Sequence, residues 1–210
     1  MKQKQLSFKF LLIFCLLFSL TTNAQIKFGI HNLTLITDLS FATPKNEMAN
    51  YYSIGDAMKV YLDAGVSVVQ VKYGKNSPFA FDVEAFLGHE KANFDPADYV
   101  SNGLDAKITS YGLRLKPLCG SDKRNLLTSL IGGFFVEIGK SNARFIEEGQ
   151  ADVIRHPDVI GYGFTPAIPI NGKTRFLVDL AFRNYNWTNN SHTTSTIHTF
   201  RTGLGLQFNL

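Results

Sequence analysis

Apolar side chains recur at every second position along most of this chain. That is the period of an extended strand, whose successive side chains point to opposite faces. The last eleven residues, FRTGLGLQFNL, show it most clearly. Phe200, Leu204, Leu206, Phe208 and Leu210 fall on one side, and Arg201, Gly203, Gly205, Gln207 and Asn209 on the other. Reading the same alternation between turn residues predicts eight strands. The first runs from Ile26 to about Ile36, with Ile26, Phe28 and Ile30 on one face. The second runs from about Ala57 to Tyr73 and sets Val60, Leu62, Ala64, Val66 and Val68 against Lys59, Asp63, Gly65 and Ser67. Near Val69 its apolar parity moves to Val71 and Tyr73, which predicts a bulge. The third opens at Phe79, with Phe81, Val83, Ala85 and Leu87 opposed to Asp82 and Glu84. The fourth spans about Leu104 to Leu118 and changes parity near Gly112.

The fifth, about Asn125 to Gly139, places Leu126, Leu130, Phe134, Val136 and Ile138 together. The sixth, about Val159 to Ile170, alternates least regularly. Its Pro166 and Pro169 cannot donate to a ladder, so it either ends near Thr165 or bulges at a rim. Asn171-Gly172 is a hairpin signal. The seventh turns Phe176, Val178, Leu180 and Phe182 away from Arg175, Asp179 and Arg183, and the eighth closes the chain. Long connections (about Thr37 to Gly55, His89 to Gly103, Lys140 to Asp158 and Asn186 to Ser195) alternate with short ones at Gly74 to Pro78, Gly120 to Lys123 and the Asn171 turn. That segregation predicts an up-and-down barrel with all long loops on one rim and both chain ends on the other.

The first 24 residues change the charge reading. Lys2, Lys4 and Lys9 precede an apolar run from Phe10 to Leu20, and Thr22-Asn23-Ala24 offers a small-residue cleavage site. This predicts a signal peptide over residues 1–24 and a single domain over 25–210. The chain has 21 Lys and Arg against 17 Asp and Glu; without the three signal lysines the balance is 18 against 17, or +1. Such a balance gives no case for a nucleic-acid partner. Cys15 lies inside the apolar run without the small residues a lipidated cysteine needs before it, and Cys119 is left unpaired.

Alternation does not say which face is inside. A soluble lipocalin-like periplasmic barrel is apolar within, and a membrane barrel is apolar without. Aromatics near the strand ends favour the membrane: Phe28, Phe79, Phe176 and Phe208 at one depth, and Trp187 and Phe200 at another. The opposite face carries Asp63, Asp82, Glu84, Glu137 and Asp179 with Lys59, Lys107, Arg114, Arg175, Arg183 and Arg201. In a narrow lumen these charges would pair into a plug. Gly65, Gly133, Gly203 and Gly205 on that face would leave them room.

The closing GLGLQFNL strand, the segregated loops and a signal ending in Asn-Ala-Gln resemble small Gram-negative outer-membrane β-barrels of the OmpX-like, OmpA-type or PorT-type group. The resemblance implies an all-β fold, an eight-stranded antiparallel up-and-down transmembrane β-barrel in the outer membrane. It also implies contact with outer-membrane lipid and lipopolysaccharide, and recognition of the C-terminal strand by the barrel-assembly machinery. A PorT-type role would make the chain a component of secretion machinery. Aromatics in the long connections (Tyr51, Tyr52, Phe94, Tyr99, Phe145) are candidate contacts for a surface or secretion-system protein.

Chemistry in the loops is thin. A lipid-modifying barrel enzyme would need a histidine beside a serine and a carboxylate. The candidates are His192 and His198 with Ser191 and Ser195; His198-Thr199-Phe200 stands where a His-x-Ser motif would be expected, and no carboxylate is near in sequence. His31, His89 and His156 are scattered, and a zinc site needs three or four converging ligands. Glu147, Glu148 and Asp152 make one connection acidic enough to attract divalent ions bridging to lipopolysaccharide. The expectation is therefore no catalytic, metal or cofactor residue, no cofactor, and a structural or interaction role without open-pore transport.

Overall fold

Strands that follow one another in the chain lie side by side in space, and the last pairs with the first. The computed structural model describes residues 24–54, 59–73, 79–97, 100, 102–119, 133–189 and 193–210. Its strands are β1 (Ala24–Asn46), β2 (Tyr52–Ile54), β3 (Lys59–Tyr73), β4 (Phe79–Pro96), β5 (Leu104–Cys119), β6 (Phe134–Glu147), β7 (Val153–Arg155), β8 (Asp158–Phe164), β9 (Ala167–Pro169), β10 (Thr174–Thr188) and β11 (Thr194–Asn209). Eight of them form a ring in the order β1-β3-β4-β5-β6-β8-β10-β11, and β11 closes it by pairing with β10 on one side and β1 on the other. Every pairing is antiparallel. The short strands β2, β7 and β9 are additions at the rims. Closure gives each of the eight a paired neighbour on both sides, as a sheet that crosses lipid requires.

Burial settles which face is inside. Ile138, Leu87 and Leu204 project outward at 64%, 56% and 55% exposure, while Arg114, Arg183 and Arg201 point inward at 2% or less. Apolar without and charged within is the arrangement of a transmembrane barrel, the reverse of a soluble lipocalin. On β11 the largely apolar outward stretch from Phe200 to Phe208 is about the length that a tilted strand needs to span a bilayer. A row of stacked and tilted rings crosses the outer surface of four strands: Phe41 to Phe200 at 6.2 Å, Phe200 to Phe182 at 5.0 Å and Phe182 to Tyr162 at 5.5 Å.

Above the apolar belt the polarity inverts. Lys45, Lys91, Lys107 and Arg144 point outward into water, and Phe94, Leu104, Ile108, Phe145, Val159 and Ile197 fill the interior. The barrel has two storeys: the lower is built for lipid, and the upper is built like a soluble barrel.

This inversion corrects several boundaries. β1 runs ten residues beyond the expected Ile36, to Asn46, pairing with β11 throughout. β4 reaches Pro96, β6 reaches Glu147 and β10 reaches Thr188, so much of each expected upper loop is strand. Polar outward residues and apolar inward ones made these segments resemble loops. The parity change expected on β5 near Gly112 is no slip of the backbone. Even-numbered residues face inward throughout, and only their chemistry changes, from Leu104, Ala106 and Ile108 to Arg114 and Lys116. Lys107, expected in the lumen, consequently faces out.

The bulge expected near Val69 is present, where the β3–β4 register shifts between Ser67 and Val69. A second shift in β1, at Gly29 with φ +138°, moves the outward set from Ile26, Phe28 and Ile30 to Leu33, Leu35 and Leu39. The sixth strand ends at Phe164. Pro166 and Pro169 lie where the chain has left β6 and needs ladder donors on one side only, β9 pairing with β10 alone. Residues 1–23 of the expected 1–24 signal segment, with Cys15, the Gly74–Pro78 and Gly120–Lys123 turns, the strand start at Asn125, and Tyr99 lie outside the described residues, as do the side chains of Lys59 and Phe79.

The two storeys predict opposite responses to charge on the outer surface. Leu180→Arg, in the belt, should cost about 2–4 kcal/mol, whereas Thr188→Arg, exposed above it, should be nearly neutral. Urea unfolding in lipid vesicles measures both; equal costs would contradict the inversion.

Candidate functional site: the filled lumen and the upper mouth

The lumen is occupied by three guanidinium groups and the carboxylates around them. Strand register puts Glu84, Arg114 and Glu137 directly opposite one another on β4, β5 and β6. Arg114 bonds Glu84 at 2.6 Å, Asp63 at 2.8 Å and Glu137 at 3.1 Å, so its planar fork is satisfied on three sides. Lys116 Nζ donates to the other Glu84 oxygen at 2.7 Å. Arg183 Nε donates to Glu137 Oε1 at 2.5 Å, and its Nη1 reaches the Tyr61 and Ser110 hydroxyls at 2.8 and 2.7 Å. Arg201 lies 3.7 Å from both Asp63 and Glu137. The guanidiniums also lie over aromatic faces, Arg201 above Tyr61 at 4.1 Å and Arg114 above Phe135 at 4.8 Å. Rings and ion pairs together replace the water these cations have lost.

Glycine decides who can reach whom. Gly161 on β8 lies opposite both Glu137 on β6 and Arg183 on β10. A Cβ there would overlap the Glu137 carboxyl, so its absence lets Arg183 pair across an intervening strand. Gly65 does the same for Glu84, as the sequence suggested. Gly203, opposite both Asp38 and Asp179, leaves two carboxyl groups facing each other. Of the other expected spacers, Gly133 packs on Pro166 and Gly205 on the β1 backbone, so neither makes room for a charge. Asp38 and Arg201 are the network's loose pair, Arg201 Nε and Nη2 having no hydrogen-bond partner among the described residues. Both Asp38 oxygens are buried with no donor among the described residues other than the facing Asp179 carboxyl, and Arg201 stands 3.8 Å away.

At the upper mouth a 3-10 turn, Glu47–Asn50, turns Met48 down onto the apolar core. The Glu47 carboxylate is clasped from the last connection. Asn189 Nδ2 and Thr193 Oγ1 both donate to it, and these bonds, the Thr193 one foremost, hold its pKa below the usual carboxylate value. Asn189 also donates to Ser195 at 2.9 Å and accepts from Trp187 Nε1 at 3.0 Å. Opposite them, Tyr52 donates to Glu147 at 3.4 Å; burial, with Glu147 next to it, pushes the phenol pKa up.

The sequence's chemical candidates scatter. Ser195 faces the mouth and His198 faces outward, on opposite sides of β11, so they do not meet. Ser191 and His192 lie outside the described residues. His31 bonds the Lys27 carbonyl near the lower rim. His89 meets Thr109 and His156 meets Asn142, and because Thr109 lies opposite Asn142, all four form one polar row outside the barrel. Cys119 ends β5 opposite Phe79. Phe94 and Phe145, expected as exposed loop aromatics, are buried in the upper core. The Glu47 clasp was missed; it joins residues far apart in sequence, and no local motif marks it.

No protein-family model matches the sequence, and no curated protein matches it. Solved structures with a similar fold include Ail, the attachment invasion locus protein of Yersinia pestis, crystallised with the heparin analogue sucrose octasulfate. It has 10% identity over 86% of this chain and 100% of that one, with a TM-score of 0.43. Neisserial surface protein A has 10% identity over 85% and 97%, with a TM-score of 0.39. The outer membrane protease OmpT of Escherichia coli has 7% identity over 89% and 98%, with a TM-score of 0.40. Scores at this level assign neither family nor activity.

Two measurements test the site. Glu137→Gln should cost about 3–5 kcal/mol, because Arg114 and Arg183 would be left buried with one fewer carboxylate. Asp38→Asn should fall within about 1 kcal/mol of the parent, since Arg201 stands 3.8 Å away and an amide can face the Asp179 carboxyl in its place. Urea midpoints in vesicles compare the two, and equal losses would contradict the ranking. The Glu47 clasp has its own pH signature. A lowered folded pKa means its stabilisation is complete above the ordinary carboxylate range and is lost only as pH falls through the lowered value. Emission from Trp187, the chain's one tryptophan, should hold steady down to that range and shift below it. In Glu47→Ala that shift should be absent.

Proposed function

We propose that this chain is an integral protein of the bacterial outer membrane, exported by a cleaved signal peptide. It acts through its outer rim as a structural or interaction protein, not as an open pore or an enzyme. The observation that carries this reading is the filled lumen: Arg114, Arg183 and Arg201, with Tyr61 and Tyr185, are fully buried across the channel. The upper rim is the face turned to the cell exterior. There Tyr51 is exposed beside Tyr52, at the mouth where a surface or secretion-system protein would dock.

Lipopolysaccharide is the lipid partner that the outer surface suits. Lys91, Lys107 and Arg144 lie directly opposite one another on β4, β5 and β6, just above the belt. Like charges in that arrangement repel and call for anions. Asp152 engages Arg144, leaving the two lysines for lipid phosphates. The C-terminal strand β11, whose outward residues are Leu204, Leu206 and Phe208, is the segment offered to the barrel-assembly machinery.

Membrane fractionation with gel mobility before and after boiling tests the location, and planar-bilayer conductance tests the plug. Outer-membrane enrichment, a heat-dependent shift and no steady conductance are expected. Open-channel current from the parent chain would overturn the plug, and recovery in the soluble periplasm would overturn the location. Lys91→Gln with Lys107→Gln should reduce co-purified lipopolysaccharide without altering the heat shift.

A further inference from the structure

The upper mouth is a chamber as well as a clasp. A cavity of about 460 Å³ lies between the 3-10 turn, β2, β7 and the upper ends of β6 and β10. That is the size of a small-molecule site. Its floor is apolar, with Met48 and Leu104, and its walls carry Tyr52, Phe145 and Trp187. Phe145 and Trp187 lie 5.5 Å apart, tilted by 38°, so the two rings pack against each other and hold one another in place.

The polar tips of these walls already have partners. The Trp187 N–H is given to Asn189 and the Tyr52 hydroxyl to Glu147. What the walls present to a guest is ring surface, held in place by those bonds. Two carboxylates, Glu47 and Glu147, border the space against one guanidinium, Arg155. Aromatic faces carry negative potential, and the excess of carboxylate over guanidinium adds to it.

We propose that this chamber binds an organic cation, a protonated or quaternary amine carried on an apolar or aromatic body. The ammonium is held by the ring faces of Tyr52, Phe145 and Trp187 together with Glu147, and the body rests on Met48 and Leu104. The inference does not depend on which membrane holds the barrel.

Because Trp187 is the chain's one tryptophan and stands in the wall, its emission reports occupancy directly. The full chain in detergent is titrated with benzyltrimethylammonium and, separately, with its uncharged isostere neopentylbenzene. A saturable emission change is expected with the cation, about ten-fold tighter than with the isostere. Glu147→Gln keeps an acceptor for Tyr52 and should weaken cation binding about ten-fold, while Arg155→Gln should strengthen it. Heat-dependent gel mobility confirms that each variant is folded. Equal binding of the isostere, no saturation, or a folded Glu147→Gln or Arg155→Gln protein binding as the parent does would each overturn the proposal.

Discussion

Three guanidinium groups held out of water in a narrow barrel set the terms for everything around them. Each brings a desolvation cost that only close, multiple acceptors offset. Arg114 meets this with three carboxylates at 2.6 to 3.1 Å and Arg183 with Glu137 and three hydroxyls, while Arg201 lies over the Tyr61 ring. The need propagates outward through register. Glu84 must face Arg114 and Glu137 must face it from the other side, which fixes β4, β5 and β6 relative to one another. A slip of one residue would turn a charge into lipid. A buried ion network of this kind contributes less to net stability than to selecting a single alignment. Here it also fills the lumen.

The glycines follow from the same constraint. A side chain on each strand would keep facing charges apart, since neighbouring strands stand about 4.8 Å from each other. Removing the Cβ at Gly161 and Gly65 gives the carboxylates of Glu137 and Glu84 space. At Gly203 the same device brings Asp38 and Asp179 together, and there the network is least satisfied.

The change of polarity along the barrel axis divides the labour. Within lipid, outward residues must be apolar and the interior can hold charge. Above it, water takes the place of lipid, so outward residues become polar and the interior becomes an ordinary apolar core. That upper core, capped by Met48, gives the mouth a rigid base. The clasp of Glu47 by Asn189 and Thr193 ties the first connection to the last, and it orients Trp187 through Asn189. The mouth is thus built on strands more than on loops, which suits precise placement of a ring or a carboxylate.

By itself the sequence determined the strand type, most of the count and most of the inward charge set of the lower storey, though not Asp38, Glu90 or Lys116. Alternation is a local property, and lipid on one side sharpens it. The Phe200–Leu210 strand, the bulge near Val69, the prolines at a strand end and the inward Arg114, Arg183 and Arg201 were all legible for that reason. Only the tertiary structure decided where strands stop, because Thr37–Asn46 or Lys140–Glu147 shows the alternation of a wall in water, and that depends on height above the lipid. It likewise decided that Lys107 points out and that Ser195 and His198 turn apart. Closing the ring is what gathered Tyr52, Phe145, Trp187, Glu47 and Glu147 from distant positions around one chamber.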